Sequence, residues 1–197
     1  MKMNYAGLLV AAGATVLVVG SLMMPVSGRI EESDGHDPEV PGASQPVPEH
    51  FKEPTGPVPG RMVDKVFRPE DADLRDHRRV LGVVVNGQAR AYQATGMSHP
   101  DTHVAIDQLG GESIAVAYCD RSDSVRAFCG DRAVIKSIEV DGYEGDSLQL
   151  RVEGKRHALD GDTLPLKELD VTYTTWGEWL KLHPDTDVYR GLYKIRF

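Results

Sequence analysis

The dipeptide Asn86-Gly87 constrains the fold more than any other feature of this sequence. It separates Val80–Val85, an apolar segment rich in β-branched residues, from Gln88–Tyr92. Asn and Gly both tolerate a positive φ, which the tight two-residue turn of a β-hairpin requires at both central positions. The pattern therefore predicts a hairpin over residues 80–92.

Short apolar or alternating segments bounded by turn residues continue after this hairpin, and they predict further strands. The predicted strands are Ser113–Cys119, entered from the Gly110-Gly111 turn, Ser124–Phe128, Ala133–Val140, Leu148–Val152 and Lys155–Leu159. The last two are joined by Glu153-Gly154, a pair typical of a turn.

One short helix is predicted near the C-terminus, beginning at Thr175. Thr175 and Glu178 have the spacing of a capping box, and Trp176 and Trp179 lie on one helix face. Pro184 ends the helix. The predicted fold is mainly β: one compact domain of antiparallel strands and hairpins with a short C-terminal helix.

The N-terminal segment Tyr5–Pro25 contains no charged residue over 21 positions. This length suffices for a transmembrane helix. It predicts a single signal-anchor at residues 5–25, with residues 1–4 as a cytoplasmic tip; an N-terminal signal peptide is the alternative. Lys2 precedes the apolar segment, which favours a cytoplasmic N-terminus and a C-terminal domain on the periplasmic or extracellular side.

Residues 26–60 read as a Pro/Gly-rich linker, because eight of the 12 prolines fall between Pro25 and Pro59. The β domain is then predicted at residues 61–197. The net charge of −8 argues against a nucleic-acid partner, which requires a basic surface. The predicted partner is the membrane, through the N-terminal helix.

The candidate metal ligands and catalytic residues lie in the loop Met97–Asp107 and at the end of the Ser113–Cys119 strand that follows it. His99, His103 and Cys119 together offer two imidazoles and a thiol, a ligand set suited to copper or zinc. Alternatively, Cys119 is a nucleophile with His103 as its base and Asp107 as the orienting acid. A third interpretation is that the loop has only a structural role and that Cys119 is a small core residue.

A disulfide between Cys119 and Cys129 is a further alternative outside the cytoplasm. A tight turn near Arg121-Ser122 would pair Cys119 with Ser124 and place Cys129 out of register. The bridge therefore requires a wider loop or another strand pairing.

Four segments resemble a known family, a domain of unknown function called DUF3179. They are Val80–Tyr92, Asp107–Gly111, Ala115–Cys119 and Thr174–Thr186. In the family pattern a second cysteine follows the first by three positions, whereas this chain has Ser122 there. A Cys-x-x-Cys pair can bind a soft metal or cycle through a disulfide, and a serine does neither well.

The sequence favours a membrane-anchored extracytoplasmic binding or interaction module over an enzyme, since it lacks the common nucleotide-binding and hydrolase motifs. One alternative is a metal-binding or redox domain centred on His99, His103 and Cys119. Another is a degenerate family member that has lost an ancestral activity, as Ser122 suggests.

Overall fold

The structure is a computed structural model, and it describes residues 56–161 and 164–191. These residues lie within one compact unit, Pro46–Phe197. The predicted cytoplasmic tip, the predicted transmembrane segment 5–25 and most of the predicted linker lie outside the described residues. Among residues 56–161 and 164–191, no helix has the length and apolar character needed to cross a membrane.

Thirteen strands and two α-helices make up the described fold. In chain order they are β1 (Val58–Pro59), β2 (Arg61–Met62), β3 (Arg79–Val85), β4 (Gln88–Gln93), β5 (Val104–Leu109), β6 (Glu112–Cys119), β7 (Ser124–Cys129), α1 (Arg132–Lys136), β8 (Glu139–Glu144), β9 (Ser147–Val152), β10 (Lys155–Ala158), β11 (Lys167–Leu169), β12 (Val171–Thr175), α2 (Trp176–Leu182) and β13 (Asp187–Tyr189). The prediction of a mainly β domain with a short C-terminal helix is confirmed.

The strands form three sheets. The central sheet has the order β11-β7-β6-β5-β2, the helix-side sheet β12-β3-β4-β13, and the outer sheet β1-β8-β9-β10. Most neighbours are antiparallel, as predicted, but β13 runs parallel to β4 and β2 runs parallel to β5.

Two apolar clusters show how the three sheets stack. Leu81 of β3 and Val116 of β6 share the cluster between the helix-side and central sheets. Ala117 of β6 and Leu150 of β9 share the cluster between the central and outer sheets. Strand β6 is therefore buried on both faces, which explains its nearly continuous apolar sequence.

The hairpin centred on Asn86-Gly87 forms as predicted. Asn86 and Gly87 have φ values of 48° and 82°, and Val85 pairs with Gln88 across the turn. The Asn86 side chain donates a hydrogen bond to the Gly110 carbonyl at 2.8 Å. This bond ties the turn of one sheet to the turn of the next.

The predicted strand Ala133–Val140 is wrong over its first half. Arg132–Lys136 form helix α1, and strand pairing begins only at Glu139. Asp131 caps this helix, because its carboxylate accepts hydrogen bonds from the Ala133 and Val134 amides. The β-branched residues Val134 and Ile135 suggested a strand, but the cap and the packing of Ile135 into the core decide the local structure.

The folded domain begins before residue 61, where the sequence predicted its boundary with the linker. Strand β1 lies inside the segment 26–60, and it pairs with β8 through Val58 and Val140. The folded domain therefore includes residues from Val58 onward.

Helix α2 begins at Trp176, as the capping box predicts. Thr175 Oγ1 accepts a hydrogen bond from the Glu178 amide at 3.4 Å, while the Glu178 carboxylate pairs with Lys181 at 2.6 Å instead of reaching back to the cap. The Trp179 ring packs flat against β3 at Gly82, where a Cβ atom would clash with the ring.

Candidate functional site

The loop that carries both histidines is held by local hydrogen bonds. His99 precedes a short 3₁₀ turn, and its Nδ1 accepts a hydrogen bond from the Asp101 amide at 3.3 Å. The Thr102 hydroxyl donates to the His99 carbonyl at 3.0 Å. The His99 side chain is 45% exposed. His99 thus stabilises the turn from its surface side.

His103 lies at the other end of this turn and is 1% exposed. Its Nε2 is 2.8 Å from the Tyr143 hydroxyl, and that hydroxyl donates to Asp120 Oδ1 at 3.0 Å. These three side chains form a continuous hydrogen-bonded series, the His103–Tyr143–Asp120 chain. It links the central sheet to strand β8 of the outer sheet.

The surroundings of His103 decide its charge. The Tyr143 hydroxyl donates a hydrogen bond to the Asp120 carboxylate, and the tautomer of His103 decides whether Nε2 donates to the Tyr143 oxygen or accepts from it. Burial lowers the pKa of His103, and this effect outweighs the attraction of Asp120 for the charged ring. The imidazole is therefore neutral at pH 7.

Tyr143 is also held as a neutral phenol. Burial and the charge of Asp120 both raise its pKa. The Arg121 guanidinium stacks over the Tyr143 ring at 3.6 Å from its centroid, which stabilises the ring position by a cation–π contact. No sequence pattern indicated Tyr143, because its approach to His103 depends on contact between two different sheets.

Cys119 is close to the His103–Tyr143–Asp120 chain, but its own hydrogen bonds are to backbone groups. Its side chain is fully buried, its Sγ donates to the Asp146 carbonyl at 3.3 Å, and it accepts from the Ser122 amide at 3.5 Å. The Ser122 hydroxyl turns away and donates to Ser124 Oγ at 2.9 Å. The thiol is thus occupied by backbone groups.

Asp107 does not orient the His103 ring, and this prediction is corrected. Asp107 pairs with Ile114, which belongs to the cluster facing the helix-side sheet. Cys119 belongs to the cluster facing the outer sheet. The set Cys119, His103 and Asp107 therefore cannot act together, because its acid lies on the opposite face of the central sheet.

Asp107 instead belongs to a buried ionic network with Arg90. The Arg90 guanidinium donates from Nη1 to both Asp107 oxygens at 2.8 and 2.7 Å, and from Nε and Nη2 to Asp187 at 2.6 and 2.9 Å. The Tyr92 hydroxyl donates to Asp107 Oδ2 at 2.6 Å. Sequence reasoning missed this network. Its one signal was an arginine, Arg90, sharing the inward face of β4 with Tyr92.

The electrostatics of this network favour full ionisation of Arg90. Burial opposes the charged guanidinium, but the hydrogen bonds and charges of Asp187 and Asp107 outweigh it and raise the Arg90 pKa. Burial and Asp107 together raise the pKa of Tyr92, which stays a phenol and donates. The network joins β4, β5 and β13, so it fastens the helix-side sheet to the central sheet.

The predicted alternative of a disulfide is also corrected. Cys119 and Cys129 are free, buried thiols. Cys119 pairs with Ser124, as the tight-turn register predicts, so Cys129 lies five residues further along β7. At about 3.3 Å per residue that separation is far beyond the roughly 7 Å limit for a bridge. The two side chains also face different clusters.

The structure does not assemble the predicted copper or zinc ligands. His99 is on the surface of the loop, His103 bonds to Tyr143, and Cys119 bonds to backbone groups. In the described part of the chain, no three His, Cys, Asp or Glu side chains converge so that they could hold a metal ion.

The fold and these contacts define a layered β domain whose reactive side chains bond to one another or to the backbone. Residues 62–157 form a DUF3179 family domain, a family described as a protein of unknown function. The matched range includes His99, His103, Asp107 and Cys119 and ends before Thr174–Thr186. No curated protein and no solved structure matches the chain.

Proposed function

We propose that this chain is a membrane-anchored binding or interaction module displayed outside the cytoplasm, without catalytic activity of its own. The apolar segment Tyr5–Pro25 would anchor it, and the Pro-rich segment that follows would hold the β domain away from the bilayer. The position of Lys2 before the anchor supports the orientation. The net charge of −8 speaks against a nucleic-acid partner.

The observation that carries this proposal is the state of Cys119. A nucleophilic or metal-binding cysteine needs an accessible thiolate beside a base or a cation. The Cys119 thiol is fully buried and bonds to the Asp146 carbonyl, and no hydrogen bond links it to His103 within the described residues. Its surroundings are those of a small core residue.

Thiol labelling tests this observation directly. In the native full-length chain, Cys119 should resist iodoacetamide over hours and react within minutes once urea unfolds the protein. Cys129, also buried, serves as the internal comparison, and peptide mass spectrometry locates the modified residue. Rapid labelling of native Cys119 alone would contradict the proposal.

The second candidate function is a metal or redox site that this member has lost. It is favoured by the contact between the Ser122 amide and Cys119 Sγ, which places residue 122 beside the thiol. A cysteine at position 122 would bring a second thiol next to Cys119. If Ser122→Cys takes up copper or zinc stoichiometrically while the parent chain does not, the degenerate-site reading gains support.

Metal analysis of the purified parent chain tests the binding module against an intact copper or zinc site. We expect substoichiometric copper and zinc after dialysis with either metal, and no change on His103→Ala. His99→Ala, which removes the exposed imidazole of the same loop, is the matched control. One equivalent of metal that disappears specifically in His103→Ala would overturn the binding-module proposal.

The membrane placement has its own test. Spheroplasts expressing the chain with a C-terminal tag should lose the tag to added protease, and the remaining fragment should sediment with membranes. Protection of the tag in unbroken spheroplasts, with cleavage only after lysis, would contradict the proposed orientation.

A further inference from the structure

A small cleft lies where the segment after β2 meets the end of β13. Its volume is about 220 Å³, and its lining includes Arg61, Lys65, Phe67, Tyr189 and Arg190. We call it the Arg61–Tyr189 cleft. A single water needs only about 10–15 Å³ measured in this way, so the cleft has room for a small polyatomic group.

The backbone around the cleft is held at several points. Arg61 pairs with Ala105 through the parallel contact of β2 and β5. Phe67 and Val188 exchange two backbone hydrogen bonds, both of 2.9 Å. The lining side chains therefore project from backbone positions that belong to two sheets, which is the arrangement of a preformed site.

Positive charge is concentrated here in an otherwise acidic protein. Arg61, Lys65 and Arg190 line the cleft with a single carboxylate, Asp64, in a chain whose net charge is −8. Within the described residues, Arg61 and Lys65 form no ion pair. Lys65 and Arg190 both lie over the Phe67 ring, at 4.6 and 5.7 Å from its centroid.

The Tyr189 hydroxyl supplies an independent sign of a missing partner. The Tyr189 side chain is 2% exposed, and its hydroxyl has no hydrogen-bond partner of normal geometry among the described residues. Burial raises its pKa, although the nearby Arg61 guanidinium opposes this effect. The hydroxyl thus keeps its proton, and Arg61 can only donate. A buried donor of this kind calls for an acceptor.

We propose that the Arg61–Tyr189 cleft binds a small oxyanion of the phosphate type. Guanidinium and ammonium groups would bind its oxygens by charge-assisted hydrogen bonds, and the Tyr189 hydroxyl would donate one more. A phosphate has enough oxygens to accept from Arg61, Lys65 and Tyr189 at the same time, whereas a carboxylate has only two. This inference rests on the proposed binding function and assigns it a ligand class.

Titration of the full-length chain with inorganic phosphate tests the site. At constant ionic strength set with NaCl, phosphate should produce saturable NMR shifts or binding heat that chloride does not. Arg61→Gln should weaken the dissociation constant about tenfold or more, since it removes a charged hydrogen-bond donor. Lys181→Gln, which deletes an exposed positive charge on α2, is the matched control and should leave binding unchanged.

Tyr189→Phe keeps the ring and removes only the hydroxyl, so it preserves the fold if an arginine substitution does not. We expect it to weaken phosphate binding several-fold with an unaltered circular dichroism spectrum. Binding that is equal in the parent, Tyr189→Phe and Lys181→Gln chains would overturn the proposal, as would the absence of saturable binding in the parent.

The source of the phosphate group is distinguished by a second arm. Sedimentation with phosphatidylglycerol vesicles, competed by free phosphate and reduced in Arg61→Gln, would identify a lipid headgroup. Phosphate binding without vesicle binding would identify a soluble phosphate compound. Both outcomes support the cleft, and both are separate from the thiol and metal tests of the binding-module function.

Discussion

The charged Arg90 side chain is mostly buried, and this burial determines how much unfolding free energy the domain loses when Arg90 is replaced. Its side chain is 9% exposed and pairs with both Asp107 and Asp187. Two carboxylates converge on one guanidinium, so deleting the cation leaves two negative charges facing each other. A buried charge without its partner is far more costly than a surface charge in the same position.

Replacing Arg90 by Met should therefore destabilise the domain strongly. We expect Arg90→Met to lower the free energy of unfolding by about 3–5 kcal/mol, measured by urea denaturation. Arg151→Met is the matched control, because Arg151 also pairs with a carboxylate, Asp141 at 2.7 Å, but is 35% exposed. It should cost about 1 kcal/mol or less. Equal costs for the two variants would show that burial of the network is unimportant.

His103 should make stability depend on pH. Its pKa is lowered in the folded state, chiefly by burial, so between that pKa and the ordinary value of about 6.5 the unfolded chain binds more protons. The contribution of His103 to the free energy of unfolding is then fully present above about pH 7 and is lost as the pH drops below about 6.5. Urea denaturation between pH 7.5 and 5.5 should show this slope in the parent chain.

His103→Gln should flatten the slope, since glutamine does not titrate but can still donate to Tyr143. His99→Gln removes an exposed imidazole four residues earlier and should retain the parent slope. A parent chain whose stability rises as pH falls from 7 to 6 would contradict a buried neutral His103.

At the scale of single elements, local sequence determines much of the structure. The turn Asn86-Gly87 and the helix cap at Thr175 act through neighbouring residues, so both could be predicted. Helix α1 could not, because Val134 and Ile135 suit a strand and only the Asp131 cap and tertiary packing favour the helix. Nor could the contact of Arg90 with Asp107, because β4 and β5 belong to different sheets.

The contact between α2 and β3 gives an element-scale prediction. A Cβ at residue 82 would clash with the Trp179 ring, so Gly82→Ala should push α2 away from the sheet. We expect a loss of about 1–3 kcal/mol in unfolding free energy and a changed tryptophan near-UV spectrum. Gly130→Ala is the control, because no atom lies within 4 Å of a Cβ at Gly130. A neutral Gly82→Ala would mean that α2 adjusts freely.

At the scale of the whole molecule, hydrogen bonds of tyrosine hydroxyls connect the central sheet to its two neighbours. Tyr143 of the outer sheet bonds to His103, and its hydroxyl also reaches Asp120. On the other side, Tyr118 of β6 and Tyr173 of β12 both donate to Asp123, at 2.9 and 2.7 Å. Each polar link supplements one apolar cluster, so each should restrain one outer layer independently.

Hydrogen exchange can separate the two links. Tyr143→Phe deletes the hydroxyl between His103 and Asp120, so it should speed amide exchange in β8 and leave β12 unchanged. Tyr173→Phe should do the reverse, because it deletes the hydroxyl of β12 that donates to Asp123 and leaves the His103–Tyr143–Asp120 chain intact. Amides of β6 should exchange last in all three chains, since both faces of that strand are buried and they open only on global unfolding. Faster exchange of both the outer sheet and the helix-side sheet in either variant would show that the three sheets open as one cooperative unit.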